Sequence, residues 1–377
     1  MKNAFVAVLL GALLGVAALL AAFHLHPALA LEMDRELPPR VTSGLYDPER
    51  SGQETFAWTS EQARFRFPNL NRSSAWRCTA RVRSARPPEA PPASVSLEEL
   101  ATGGSLPRSF HRVGDDYQDI SLDVPPKTPG VTLILTVEPA FTPEGATRPL
   151  GVRLDRLACA PQGWVWPSSP ALLEAAVVPA LFAVVFVVIG LGFRARVLAT
   201  LAAAAANAWP LSIGLAPYTV YADRLLWLGV WIAAIAAGGT WLVLQLRREP
   251  LSGGARAAIA LSGVAILAKL AALMHPSKAI VDAVFHAHRL DYVIGGHYFF
   301  TQQMPGGIQF PYAIALYVAA SPWASMTRDH VLLLRLVVSC AEAGAGLFLY
   351  WAVARSSRDD AVGACAVLVY HVLPVSY

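Results

Sequence analysis

Apolar and polar residues separate along this chain into long blocks of two kinds. After Lys2, residues 4–23 form an apolar run with no charged residue, about 20 residues and so long enough to cross a bilayer as a helix. From Glu32 to about Gly163 the apolar positions are short, often alternate with polar ones, and are broken by Pro and Gly. Apolar blocks then resume at 171–193, 197–217, 225–246, 257–274, 331–354 and 361–377, the second of them Ala-rich. This pattern predicts seven spanning helices with one polar domain between the first and second.

Inside the polar block, 55–59, 63–67, 76–82, 117–124, 131–137 and 151–157 read as strands, separated by turn signals such as Pro87-Pro88, Gly103-Gly104 and Pro129-Gly130. Gln62-Ala-Arg-Phe-Arg-Phe67 has the period of two that places Phe on one face and Arg on the other. Several short strands with this punctuation predict a β-sandwich. The expected fold is therefore an α+β membrane protein. Residues 1–31 form an anchor or signal peptide, 32–165 an extracytoplasmic β-sandwich, 166–255 transmembrane helices, and 256–377 a further transmembrane module with an outer loop at 275–328. Trp58, Trp76 and Tyr46 have the chemistry to stack on sugar rings and equally that of core residues.

Basic residues set the orientation. With the N-terminus inside, Arg194 and Arg196, then Arg247, Arg248 and Arg256, then Arg355 and Arg358 all fall on the cytoplasmic side, as the positive-inside tendency requires. Counting 310–323 as a span would reverse the last pair, and Pro311 and Pro322 bracket that segment; it is expected to lie at the outer surface. Ala28 and Ala30 before Leu31 also fit a signal-peptide cleavage site. Either way the polar domain leaves the cytoplasm.

Composition adds limits. Hydrophobic residues make up 55% of the chain and charged ones 15%, against about 25% in soluble domains. A net charge of +4 with nearly balanced signs, and no basic stripe with interleaved aromatics, exclude a nucleic-acid partner. Of four cysteines, Cys78 and Cys159 share the polar domain, where an exported protein is permitted a disulfide; the sequence leaves the pairing open. Cys340 and Cys365 fall in apolar helices.

Candidate chemistry concentrates in the loop. His275, His286, His288, His297 and His330 lie in or beside it, with Asp282, Arg289, Asp291 and the aromatics Tyr292, Tyr298, Phe299 and Phe300. A helix over 277–294, ended by Gly295-Gly296, places Asp282, His286 and Arg289 at i, i+4 and i+7 on one face. The carboxylate has the chemistry to take a proton from an acceptor hydroxyl, and the cationic groups that to neutralise a phosphate leaving group. The alternative is an amphipathic interfacial helix with a local ion pair. Asp282 and His286 are also metal-ligand types, but two ligands do not make a site; no cofactor is fixed by the sequence, and a divalent metal stays open.

Residues 256–377 resemble the start of the catalytic module of GT-C type polytopic glycosyltransferases, similar to dolichyl-phosphate-mannose-protein mannosyltransferases. The matching features are a span ending at Met274, Asp282 in the first outer loop, Gly295-Gly296, FPYAIALYVAASPW, RLVVSCAEAGAGLFLYWAVARSSR and AVGACAVLVYHVLPVSY. The resemblance implies transfer of a sugar from a polyprenyl-phosphate donor to an extracytoplasmic carbohydrate or protein acceptor, with Asp282 as base. Family members often carry Asp-Glu where this chain has Asp282-Ala283, which weakens a metal-dependent version. His286, His288 and Arg289 as substrate-binding groups follow from their spacing alone. A membrane receptor with a β-sandwich sensor domain is the alternative. A flippase or polymerase is a third reading, and it looks to Glu342 within the sixth span. The end of the last apolar run at Tyr377 suggests a fragment of a longer protein.

Overall fold

A computed structural model describes residues 2–25, 29–34, 37, 40–87, 89–100, 109–145, 147–247, 250–275, 281–297, 301–303, 309–311 and 313–373. Helix α1 (Lys2–Leu25) leads into ten strands: β1 (Leu29–Glu32), β2 (Thr42–Leu45), β3 (Glu49–Ser51), β4 (Glu54–Phe67), β5 (Trp76–Arg83), β6 (Ala93–Glu99), β7 (His111–Val113), β8 (Gln118–Val124), β9 (Val131–Glu138) and β10 (Arg153–Pro161). All pairings are antiparallel, in the order β7-β6-β9-β4-β10-β5-β8, with β1 beside β10 and both β2 and β3 beside β4.

The expected two-layer sandwich is thus one continuous sheet folded over on itself. The segments 55–59 and 63–67, read as separate strands, form the single long β4. Its first half meets β3 and β10, and its second half meets β2 and β9. One strand serves both layers because a strand can bend where its neighbours change. Alternation decides which side faces in: Ala63, Phe65 and Phe67 are fully buried while Arg64 and Arg66 are exposed. At Gly44 (φ +75°) a Cβ would lie 2.0 Å from the Gln62 carbonyl oxygen, so only glycine fits this irregularity between β2 and β4. Cys78 and Cys159 face each other across β5 and β10 and form a disulfide, both fully buried. Trp58 and Trp76 are core residues.

The remaining elements are α2 (Ser169–Ile189), α3 (Phe193–Ile213), α4 (Leu215–Tyr218), α5 (Ala222–Arg247), α6 (Gly253–Leu273), α7 (Val281–Ile294), the short pair β11 (Thr301–Gln303) and β12 (Gln309–Pro311), α8 (Ala315–Ala320), a 3-10 turn (Ser321–Met326), α9 (His330–Ser357) and α10 (Asp360–Val372). Five helices, α1, α2, α5, α6 and α9, are long and apolar enough to cross a membrane. The other two predicted spans correspond to the Ala-rich α3 and to α10, which has 13 described residues; 374–377 of the last run lie outside the described residues. Large apolar side chains also point outward, among them Trp227, Trp231, Ile235, Trp241, Phe348 and Trp351. Exposed apolar area of this kind marks a surface that packs against a further apolar phase or partner.

The helices and the sheet share one core. Leu19 and Phe23 of α1, Ala171 and Ala175 of α2, and Leu215 and Tyr218 of α4 pack with Leu29, Leu31, Leu70 and Trp76 of the β domain. Asn69 Nδ2 donates to the Thr219 carbonyl at 2.8 Å, pinning the β domain to the start of α5. Helix α1 approaches α2 closely: a Cβ on Gly15 would lie 1.8 Å from the Ala175 carbonyl oxygen. At the opposite end, Arg256 donates to the Gly190 carbonyl at 2.7 Å and Tyr350 meets Ser252 at 3.0 Å. Arg256, one of the basic residues that set the predicted orientation, lies at this end, away from the β domain.

Candidate functional site

Helix α7 rests across the β-domain end of the bundle. Ala287, Leu290 and Val293, at helical spacing, are buried. Leu290 and Val293 pack with Tyr317 and Ala320 of α8 and Leu333 and Leu334 of α9. The helix stops at Gly295-Gly296, where Gly296 takes φ +84° and His297 N donates back to the Tyr292 carbonyl. Residues 277–280 of the predicted helix, and Tyr298, Phe299 and Phe300, lie outside the described residues.

Two polar contacts fix this helix. His286 Nδ1 is hydrogen-bonded to the Tyr317 hydroxyl at 2.7 Å, and His330 Nδ1 donates to Asp291 Oδ1 at 2.6 Å. Asp282 occupies the first turn and is exposed. Among the described residues it forms no ion pair with His286 or Arg289. Arg289 lies over the Phe285 ring, 4.8 Å from its centroid, and 6.0 Å from the Tyr292 ring centroid. His288 is exposed. The helix therefore does not gather Asp282, His286 and Arg289 into one cluster: His286 is half-buried against α8, while the carboxylate is left to the solvent. Among the described residues no group of three His, Cys, Asp or Glu side chains could hold a metal ion.

Beside α7 the helix ends form a polar shelf. His275 is buried against the Tyr221 ring at 5.6 Å, and burial pushes its imidazole below the usual pKa. The Tyr221 hydroxyl donates to the Ala271 carbonyl. Arg224 in the first turn of α5 and Arg335 near the start of α9 both lie within electrostatic range of Asp329 and Tyr221. Sequence reasoning passed over these arginines and Tyr317. A signal existed: the positive-inside reading places Arg224 and Arg335 at span ends expected outside the cytoplasm, where arginine is disfavoured.

Trp58 and Trp76 are closed to ligands, while Tyr46 is half-buried under the Arg148 guanidinium with its hydroxyl donating to the Pro149 carbonyl at 2.7 Å. Trp58 packs with Phe56 and Leu150 under the Arg153 guanidinium, 4.9 Å from its ring, and Trp76 Nε1 donates to the Asn71 carbonyl. Large exposed aromatics at this end are Trp164 and Trp166, where the sheet hands over to α2; the His24 ring lies 4.6 Å from Trp164.

Deeper in the bundle, Lys269 of α6 pairs with Glu342 of α9, and His371 of α10 reaches Ser262 of α6 at 3.2 Å. Glu342 thus faces a protein partner, and Lys269 does not extend alone toward the surface.

No protein-family model and no curated protein matches the chain. Solved structures give matches over about a third of it. A family 35 carbohydrate binding module from Clostridium thermocellum is 14% identical, covering 35% of this chain and 97% of that one with a TM-score of 0.23. CsCBM6-3 from Clostridium stercorarium, solved with cellobiose, is 12% identical over 35% and 93% with a TM-score of 0.23. The CBM36-1 domain of a multidomain xylanase from the hindgut metagenome of Trinervitermes trinervoides is 14% identical over 36% and 99%, again with 0.23. Scores at this level assign this chain neither a fold nor a function.

Proposed function

We propose that this protein is a multi-span membrane glycosyltransferase whose β domain and loop lie outside the cytoplasm and whose donor is a polyprenyl-phosphate-linked sugar. The observation that carries the reading is the exposed Asp282 carboxylate at the start of a helix held rigidly across one end of the bundle, beside a shelf bearing Arg224 and Arg335. In the proposed step Asp282 accepts the proton of an acceptor hydroxyl, whose oxygen attacks the anomeric carbon. The bond from that carbon to the phosphate oxygen breaks, and the lipid phosphate leaves with the bonding electrons. Arginines near the outer surface are suited to that leaving charge. His286 serves this reading as a positioning residue, because its ring is committed to Tyr317.

Asp282→Asn, assayed for sugar transfer from a polyprenyl-phosphate donor, is expected to lose about a hundredfold or more in rate at unchanged expression and melting temperature. Undiminished transfer removes Asp282 from the mechanism. Cysteine labelling that placed positions 282 and 247 on the same side of the membrane would sink the topology on which the proposal stands.

A further inference from the structure

A cleft of about 940 Å³ lies where the β domain meets the helices. Its sheet side carries Arg64 and Arg66 from the outward face of β4, and Arg40 stands on the turn before β2. Its helical side is formed by Val220 and Asp223 at the head of α5. The Asn69–Thr219 hydrogen bond holds the two walls together. Thr42 and Ser43 add hydroxyl-bearing residues to the lining.

Charge in this cleft is out of balance. Three lining guanidinium groups face one lining carboxylate, and the Arg40 charge also acts on Arg224. Among the described residues none of Arg40, Arg64 and Arg66 forms an ion pair. Elsewhere in the domain Arg72, Arg77, Arg81, Arg83 and Arg148 each pair with an Asp or Glu, Arg50 and Arg86 donate to backbone carbonyls, and Arg153 lies over the Phe56 and Trp58 rings. Like charges held together repel, and an anion among them relieves that repulsion. Guanidinium groups match phosphate by bidentate hydrogen bonding. The level of the cleft is also specific. It opens at the head of α5, at the end of the bundle where Trp164 and Trp166 stand exposed, the position such side chains take at a headgroup layer.

We propose that this cleft binds a phosphate-bearing group, with Arg40, Arg64 and Arg66 as its ligands. The inference rests on the membrane placement proposed above but not on the role of Asp282. It gives β4 a task beyond packing: its inner face builds the core while its outer face receives the anion.

The test uses the full chain in nanodiscs, of neutral phosphatidylcholine or of phosphatidylcholine doped with phosphatidylglycerol, beside R40Q/R64Q/R66Q. Co-elution with the discs is checked first, so failure to insert is distinguished from failure to bind. In one arm native mass spectrometry counts retained phosphatidylglycerol. In the other, inorganic pyrophosphate is titrated in neutral discs and melting is followed. Apparent affinity in the variant is expected to fall on the order of a hundredfold, from about a fivefold step for each of the three arginines lost near the surface. A wild-type response in the lipid arm alone assigns the phosphate to a membrane headgroup; one in the pyrophosphate arm assigns it to a soluble source. Equal behaviour of wild type and variant in both arms overturns the proposal. Should the triple variant melt early without ligand, R66Q alone replaces it, with the same two outcomes at a smaller shift.

Discussion

Two ion pairs, one in the β domain and one in the bundle, show how differently the two regions handle charge. In the β domain Arg72 and Glu99 meet through two hydrogen bonds of 2.7 and 3.1 Å, and Arg72 also donates to the carbonyls of Gly130 and Pro125. Its side chain is only 2% exposed. In the bundle Lys269 and Glu342 make a single contact between α6 and α9, with side chains 29% and 13% exposed. The first charge is surrounded by partners, as a desolvated guanidinium requires. The second joins two helices, with His371 of α10 within electrostatic range of both partners and itself hydrogen-bonded to Ser262. Buried charge therefore organises loops in the β domain and selects a helix neighbour in the bundle.

Breaking the first pair has the largest expected effect. Arg72→Ala leaves Glu99 and two carbonyls without their donor and is expected to cost about 3–5 kcal/mol, read as early loss of the β-sheet signal on thermal melting. Replacing both partners, Arg72→Met with Glu99→Leu, is expected to recover much of it; a double variant as weak as the single one would show that the carbonyl bonds, not the ion pair, carry the stability. Next comes the helix contact. Gly15→Leu forces a side chain against the Ala175 carbonyl and is expected to cost about 3 kcal/mol, at the upper end for overpacking, seen as loss of monodisperse protein in detergent. The smallest effect sharpens the comparison itself: Lys269→Met is expected to cost about 1 kcal/mol, with Glu342→Gln in the same chain restoring part of it. A loss as large as that for Arg72→Ala would mean that the two regions treat charge alike.

Much of this was readable from local pattern. Strands β5, β8 and β9 start within a residue of where their β-formers and alternation placed them, because a half-buried strand writes its two faces into the sequence. Strand β6 was legible in the same way, with Ala93, Val95 and Leu97 buried, but was passed over between Pro-rich stretches. Short strands such as β1 and β3 carry too few residues for a period to show and exist because β10 and β4 offer them an edge. At the loop, the sequence placed Asp282, His286 and Arg289 on one helix. It could not show that Tyr317, 31 residues on, claims the histidine.

By itself the sequence determined the blocks: where apolar residues run too long for anything but membrane-length helices, and where they alternate as strands do. Backbone hydrogen bonding and hydrophobic burial act over a few residues, so their marks are local. Which blocks touch was decided only in three dimensions. The pairing of Cys78 with Cys159, of Lys269 with Glu342, and the gathering of Arg40, Arg64 and Arg66 at the head of α5 join residues far apart in the chain. Their energies depend on distance and desolvation, and neither is set until the chain has closed on itself.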